Sequence, residues 1–257
     1  AYIQTTEKGS LNKVVSKLNI NSGKTTLISY PEGNNSASFS KSFNYFINTN
    51  STAASPYKFV LKDANGKEIK ELQNNNELLS KLQKDNFVTK EFITIPNSVG
   101  DQLNAWIIKP KNFDPNKKYP LFMFQYSGPG SQQVSNSWDG GNGIWFEMLA
   151  QKGYVVACVD GRGTGYKGAK FKKVTYKQLG KYEIEDQITA AKWFGNQSYI
   201  DKSRIGIFGW SFGGYMTSLA MTKGADVFKM GIAVAPVTNW RYYDSIYTER
   251  FLQTPQE

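Results

Sequence analysis

The chain has 257 residues, room for one large domain or two small ones with a buried core, and its 40% hydrophobic and 20% charged content is that of a folded chain. The formal charge of +10 comes from lysines spread along the whole length (KNFDPNKK, KFKKVTYK), so a solvated basic surface is expected and no nucleic-acid partner. The absence of histidine and a single cysteine exclude an internal disulfide and argue against zinc or any other metal; no cofactor motif is present, and no apolar run reaches the roughly 18 residues of a membrane span.

The chain opens AYIQTT, without a charged-then-apolar leader, so it is expected to start at a mature or an internal position. Residues 1 to about 73 read as short strands broken by turns. NKVVSKLNI, NSG and KTTLISY form a hairpin; SASFS and FNYFINT follow; YKFVLKD, ANG and KEIKEL form a second hairpin. Their turns, Ser22-Gly23 and Asn65-Gly66, lie about 43 residues apart, which fits the period of β-propeller blades but also an independent small sheet. NNNELLSKLQKDN reads as a short helix, and KEFITIPN with LNAWIIKP as a hairpin-like pair.

From Tyr119 the pattern changes. The apolar run LFMFQY is followed by a helix around IWFEMLAQKG, the strand YVVACVD and the glycine-rich loop GRGTGYKG. Then come a helix YEIEDQITAAKWF with Ile184, Ile188 and Ala191 on one face, the strand RIGIFGW, the helix YMTSLAMTKG and the strand MGIAVAP. Strands alternating with helices predict a parallel α/β sheet covered on both faces. Cys158, inside YVVACVD, is expected to be a buried structural thiol, because no base or helix start flanks it.

The stretch GWSFGG, residues 209 to 214, sits between a strand and a helix, the setting of a nucleophile elbow. Ser211 is the candidate nucleophile, and the Phe212 amide a candidate oxyanion donor, since the residue after the nucleophile plays that part. Tyr126, at the carboxyl end of LFMF, could bring its hydroxyl to the same place or serve as a packed aromatic. A serine hydroxyl needs a base, and the chain has no histidine. Lysine does not replace it: position 214 is glycine, and Lys223 is ~18 Å along the helix at 1.5 Å per residue. After Ser211 the only acids are Asp226, Asp244, Glu249 and Glu257. Trp240, Tyr243 and Tyr247, spaced i, i+3 and i+7, would share one face of a helix and could form either core or a flat apolar slot.

The segments QYSGPG, VDGRGTGYKG, LGKYEIEDQ, GWSFGGYMTS, FKMGIAVAPV and NWRYYDSIYTERF together resemble the prolyl oligopeptidase family of serine peptidases, and the last is similar to its dipeptidyl peptidase branch. The resemblance implies an α/β hydrolase, with a parallel-sheet core incomplete at its C-terminus, preceded by β-propeller blade strands. The expected division is residues 1–85 for the end of the propeller and 86–257 for the catalytic domain. By the same resemblance Ser211 is the nucleophile, Tyr126 and Phe212 serve the oxyanion hole, and Val237, Trp240, Tyr243 and Tyr247 line a pocket for a penultimate proline. Phe212 stands where the family more usually has tyrosine. The triad Asp and His, and most of the propeller, are expected beyond the two ends of this chain. The implied activity is release of Xaa-Pro, and less readily Xaa-Ala, dipeptides from peptide N-termini by a homodimer in a periplasmic or secreted setting, with no activity in this chain alone. The alternatives are an endopeptidase or acylaminoacyl peptidase of the same family, and a non-catalytic binding protein on a hydrolase scaffold.

Overall fold

Two compact units make up the chain: Ala1–Lys90 with Ser135–Trp145, and Glu91–Val134 with the residues from Phe146 onward. The computed structural model describes residues 1–256.

In the first unit β1 (Tyr2–Thr5), β2 (Val14–Leu18) and β3 (Thr25–Leu27) form a three-stranded antiparallel sheet. A four-stranded meander follows, from β4 (Asn34–Phe39), β5 (Tyr45–Thr52), β6 (Ser55–Asp63) and β7 (Glu68–Gln73). Both predicted hairpins are present, as β2–β3 and β6–β7. Gly66 (φ 89°) is required by close approach as well as by its turn: a side chain there would meet the backbone of Ile28 at 2.7 Å. Ile28 in turn packs with Val15 and Phe46, so the Asn-Gly turn of one sheet rests beside the small core it shares with the other. The helix α1 (Asn76–Lys84) has no buried residue. Segment 135–145 is bound to this unit by hydrogen bonds from Trp138 N to Ser51 Oγ (3.1 Å) and from Ala53 N to Asn136 Oδ1 (2.9 Å), and by the Lys90–Asp139 ion pair.

The second unit is built on one six-stranded sheet. Its strands are β8 (Glu91–Pro96), β9 (Gln102–Ile108), β10 (Tyr119–Phe124), β11 (Val155–Asp160), β12 (Ile200–Trp210) and β13 (Met230–Val234), in the order β13-β12-β10-β11-β9-β8. Its helices are the part of α2 (Gly141–Gln151) from Phe146 on, α3 (Ala169–Lys173), α4 (Tyr182–Gly195), α5 (Phe212–Lys223) and α6 (Ser245–Leu252). The sheet is mixed rather than purely parallel: β10 to β13 run parallel, while β8 and β9 join antiparallel through β11. The hairpin-like pair foreseen in the sequence therefore belongs to this sheet. The reason is visible in β9, whose Leu103 to Ile108 are all buried, as in a strand with both faces covered.

All six residues of β11 are buried, Cys158 included. Successive side chains point to opposite faces, so both faces of the sheet are covered there. Ile184, Ala191 and Phe194 on α4 enter the same core with Ile205, Ile207 and Met216. Each such isoleucine, phenylalanine or methionine contributes roughly 1.5–3 kcal/mol by leaving water. β13 is an edge of the sheet, and its Met230 and Ile232 remain 45% and 42% exposed.

Candidate active site

β12 runs directly into Ser211, and α5 begins at the next residue. Ser211 has φ 57° and ψ −113°, a backbone conformation that costs an L-residue on the order of 1–3 kcal/mol. The surroundings hold it there. Its N–H donates to the Val234 carbonyl (2.9 Å), extending the β12–β13 ladder by one bond, and its carbonyl accepts from Tyr215 N–H (3.0 Å). Gly209 and Gly213 make the turn possible by having no side chain. A Cβ on Gly209 would overlap the Gly213 carbonyl, and one on Gly213 would lie 2.5 Å from the Gln125 carbonyl oxygen.

Ser211 is half-buried at the carboxyl end of a central strand. The Phe212 amide is the first of α5 and so has no acceptor within the helix. Tyr126 follows the adjacent parallel strand: Phe124 pairs with Phe208, which puts Tyr126 level with Trp210 at the same end of the sheet. Its half-buried ring lies 6.3 Å from that of Phe212. A strained serine, a free helix-start amide and a phenol thus lie at the same end of the sheet. That arrangement suits nucleophilic attack on a carbonyl with stabilisation of the resulting oxyanion.

Beneath the elbow runs a buried polar chain. Gln125 donates from Nε2 to the Gly213 carbonyl (2.7 Å) and to Thr217 Oγ1 (3.3 Å), and its Oε1 accepts from Ser127 Oγ (3.0 Å). Gln187 Nε2 donates to Ser127 Oγ (3.2 Å) and to the Val159 carbonyl (2.9 Å). The ends of β10 and β11 are thereby tied to α4 and α5. A second cluster fixes the glycine loop after β11. Arg162 forks onto Asp186, with Nη2 2.8 Å from Oδ1 and Nε 3.0 Å from Oδ2, and its own N–H donates to Oδ2 (2.7 Å). Asp186 is fully buried and also accepts from Asn97 Nδ2 (3.3 Å). Removing one member of such a pair leaves an uncompensated buried charge and costs about 3–5 kcal/mol. Sequence reasoning gave these residues no role. Their signal was there: Gln125 ends an apolar strand, and Asp186-Gln187 lie on the buried face of a helix, where polar side chains need partners.

Glu183, in the first turn of α4, is fully buried. Its Oε2 accepts from Gly180 N–H (3.0 Å), while Oε1 has no partner among the described residues. Burial pushes its carboxyl up to about 8; the amide hydrogen bonds of Glu183 and Gly180 pull it down, Asp186 raises it and Arg162 lowers it. Asp160, wholly buried and holding the N–H groups of Gln133 and Val134, is likewise pushed up by burial to about 7. A carboxyl whose folded-state value is raised binds its proton more tightly when native. Its contribution to stability is therefore full below the ordinary value of 4.5 and is lost as pH rises from there through about 8. Glu183→Gln is expected to flatten the fall in melting temperature between pH 5 and pH 8, an effect on the order of a few kcal/mol. Thermal unfolding across that range checks it, and an unchanged slope would refute it.

The aromatic segment is not one helix, the condition under which its spacing would put the three rings on a single face. Trp240–Tyr242 is a 3-10 turn, Tyr243 is extended, and α6 starts after Asp244, whose Oδ1 accepts from Tyr247 N–H (2.7 Å). The intrinsic helix-starting chemistry of Asp244 breaks the run. The rings still converge. Trp240 and Tyr247 stack at 5.7 Å with planes 9° apart, and Tyr243 stands edge-on to both, at 5.8 Å and 5.4 Å. Phe212 and Tyr215 close the group against Trp240, at 5.7 Å and 5.5 Å. Burial raises the Tyr247 phenol well above its usual range, and the Tyr126 phenol adds to the rise. Val237 lies half-buried in the loop between β13 and this group, outside the side chains packed on the core. Of the acids after Ser211, Asp244 caps α6 and Asp226 pairs with Lys192 (3.3 Å). Among the described residues no group of three His, Cys, Asp or Glu could hold a metal ion, and no helix is long and apolar enough to cross a membrane.

A mixed sheet of this order, with a strained serine between a central strand and its helix, defines an α/β hydrolase of the nucleophile-elbow type. Residues 144–257 match the model of the prolyl oligopeptidase family, and the chain belongs to that family. The crystal structure of Porphyromonas gingivalis dipeptidyl peptidase 4 superposes with a TM-score of 0.93 at 46% identity, over 99% of this chain and 36% of that one. The "Probable dipeptidyl peptidase 4" of Aspergillus flavus is 39% identical over 220 residues, which is 85% of this chain and 28% of the relative. "Prolyl endopeptidase FAP" of Bos taurus is 47% identical over 191 residues, 73% of this chain and 24% of the relative. The chain thus spans about a quarter to a third of the proteins it resembles.

Proposed function

We propose that the protein containing this chain is a serine dipeptidyl peptidase that releases Xaa-Pro, and less readily Xaa-Ala, dipeptides from free peptide N-termini. The observation that carries the reading is the stacked Trp240–Tyr247 slot set against the strained Ser211 turn through Phe212. A flat aromatic slot accepts a pyrrolidine ring and leaves its carbonyl at the serine. Ser211 Oγ attacks that carbonyl carbon, and the negative oxygen that forms is held by the Phe212 amide and the Tyr126 hydroxyl. Collapse breaks the C–N bond, the amine leaves with a proton, and water then cleaves the ester on Ser211. The proton carrier is a histidine supplied by the rest of the protein, so this chain alone is inactive. By the family resemblance Val237 is assigned to the same slot.

The similarity to an endopeptidase favours a second reading, cleavage after proline within a chain. Gly-Pro-p-nitroanilide with a free and with an acetylated amine separates the two. The dipeptidyl reading expects turnover of the free substrate and its loss, by at least about two orders of magnitude, on acetylation, because acetylation removes the ammonium charge and the hydrogen bonds by which a free N-terminus is recognised. Equal rates on both would reject it.

A further inference from the structure

Beside the aromatic cluster lies a cavity of about 400 Å³, lined by Pro129, Thr175, Tyr176 and Phe251 and edged by Lys172, Lys173 and Arg250. Its position links it to the site. Phe251 packs on Tyr247 at 4.8 Å, so the cavity begins where the last ring of the slot ends. Pro129 belongs to the loop that carries Tyr126, so the opposite wall is continuous with the candidate oxyanion donor.

The cavity is built from anchored pieces. Lys177 N–H donates to the Phe251 carbonyl (2.8 Å), which ties the segment after α3 to the end of α6. Thr175 is 2% exposed, and the Arg250 guanidinium lies 5.3 Å from the Phe251 ring. Its charge is unbalanced. No acidic residue lines it, and no described carboxylate pairs with Lys172, Lys173 or Arg250. Some other cations of the same unit do have acidic partners, as Lys109 has Glu91, Arg162 has Asp186, Lys192 has Asp226 and Arg204 has Asp201. A largely apolar lining edged by cations fits a carboxylate on a short aliphatic stem.

We propose that this cavity is a subsite for a carboxylate of the bound peptide, at a residue adjoining the proline, and that it makes acidic peptides better substrates than basic ones. The proposal rests on the peptidase reading above. The carboxylate has two possible sources, the residue before the proline or the residues after the cleaved bond, and the chemistry is the same for both.

The test uses the full-length protein and two substrate pairs: Asp-Pro against Lys-Pro p-nitroanilide, and Gly-Pro-Asp-Ala against Gly-Pro-Lys-Ala. The expected result is an advantage in kcat/KM of about five- to tenfold for aspartate in one pair at low salt, shrinking as salt screens the charges. The double variant Lys172→Glu/Lys173→Glu should cancel or reverse it. Each comparison is a ratio within one protein, so partial loss of folding does not enter. Ratios near one in both pairs, or a preference that survives the double variant, would overturn the subsite. The affinity of the Ser211→Ala protein for the two tetrapeptides, measured by calorimetry, needs no turnover. A binding preference there, with no hydrolysis of any substrate by the unaltered protein, would sink the peptidase reading while leaving the subsite intact.

Discussion

Ser211→Ala in the full-length protein is expected to lower kcat for Gly-Pro-p-nitroanilide by about 10⁴–10⁶-fold, with KM changed by no more than a few-fold. The size follows from the chemistry assigned to the elbow. The serine supplies the covalent step, whereas the slot of Trp240, Tyr243 and Tyr247 supplies binding that alanine at 211 leaves alone. Tyr126→Phe should act differently: it keeps the ring against Phe212 but removes a hydroxyl donor, and about a 10²–10³-fold loss is expected. Steady-state kinetics on correctly folded variants checks both. A Ser211→Ala protein that turned over at the unaltered rate would end the proposal.

The second large effect concerns stability, and its sign is the test. Gly213 lies in the first turn of α5, where helix propensity alone makes alanine better than glycine by about 1 kcal/mol. The geometry predicts the opposite. The new methyl would sit 2.5 Å from the Gln125 carbonyl oxygen and 3.2 Å from the Tyr126 Cα, both backbone atoms at the end of a central strand. Neither can move without shifting the strand or the serine turn, so Gly213→Ala is expected to destabilise by about 3–5 kcal/mol. Gly195→Ala is the control, because its methyl would meet only ordinary contacts at 3.4 Å and 3.5 Å. Denaturant unfolding of the two variants should separate them clearly. Equal stability would mean that the close packing under the elbow is not what holds Ser211 in place.

Much of the second unit was legible in its sequence because strand and helix carry different hydrophobic periods. The runs LFMF, VVACV and IGIF, and the helices between them, sit where the alternation put them. The elbow was legible because three glycines, a serine and a strand-to-helix change coincide within six residues. What the sequence hid was of another kind. The antiparallel entry of β9 beside β11 depends on contacts about fifty residues apart, which no local pattern encodes. The five-residue α3 lies in a lysine-rich stretch with no apolar period, and it is pinned by the burial of Phe171 and by the hydrogen bond from Gly163 N–H to the Phe171 carbonyl (3.0 Å). The Gln125–Ser127–Gln187 chain escaped notice because a polar residue next to an apolar run looks like an element boundary until its partner is seen. For Trp240, Tyr243 and Tyr247 the expected convergence holds, but a capped break, not a continuous helix, produces it.

The segment 135–145 bears on how the protein comes into being. The first unit is made of one continuous stretch plus a short piece that emerges from the ribosome only after β8, β9 and β10. At the moment Lys90 is synthesised, Ser51 and Ala53 still lack the partners that Trp138 and Asn136 later supply. The strands of the second unit therefore appear before these bonds of the first can form, and the two cannot be completed strictly one after the other. Translation speed between codons 90 and 145 then becomes a folding parameter. A pause in that interval would hold the nascent chain with two partly built units, and rapid passage through it would shorten the time in which their strand edges stand open to other chains.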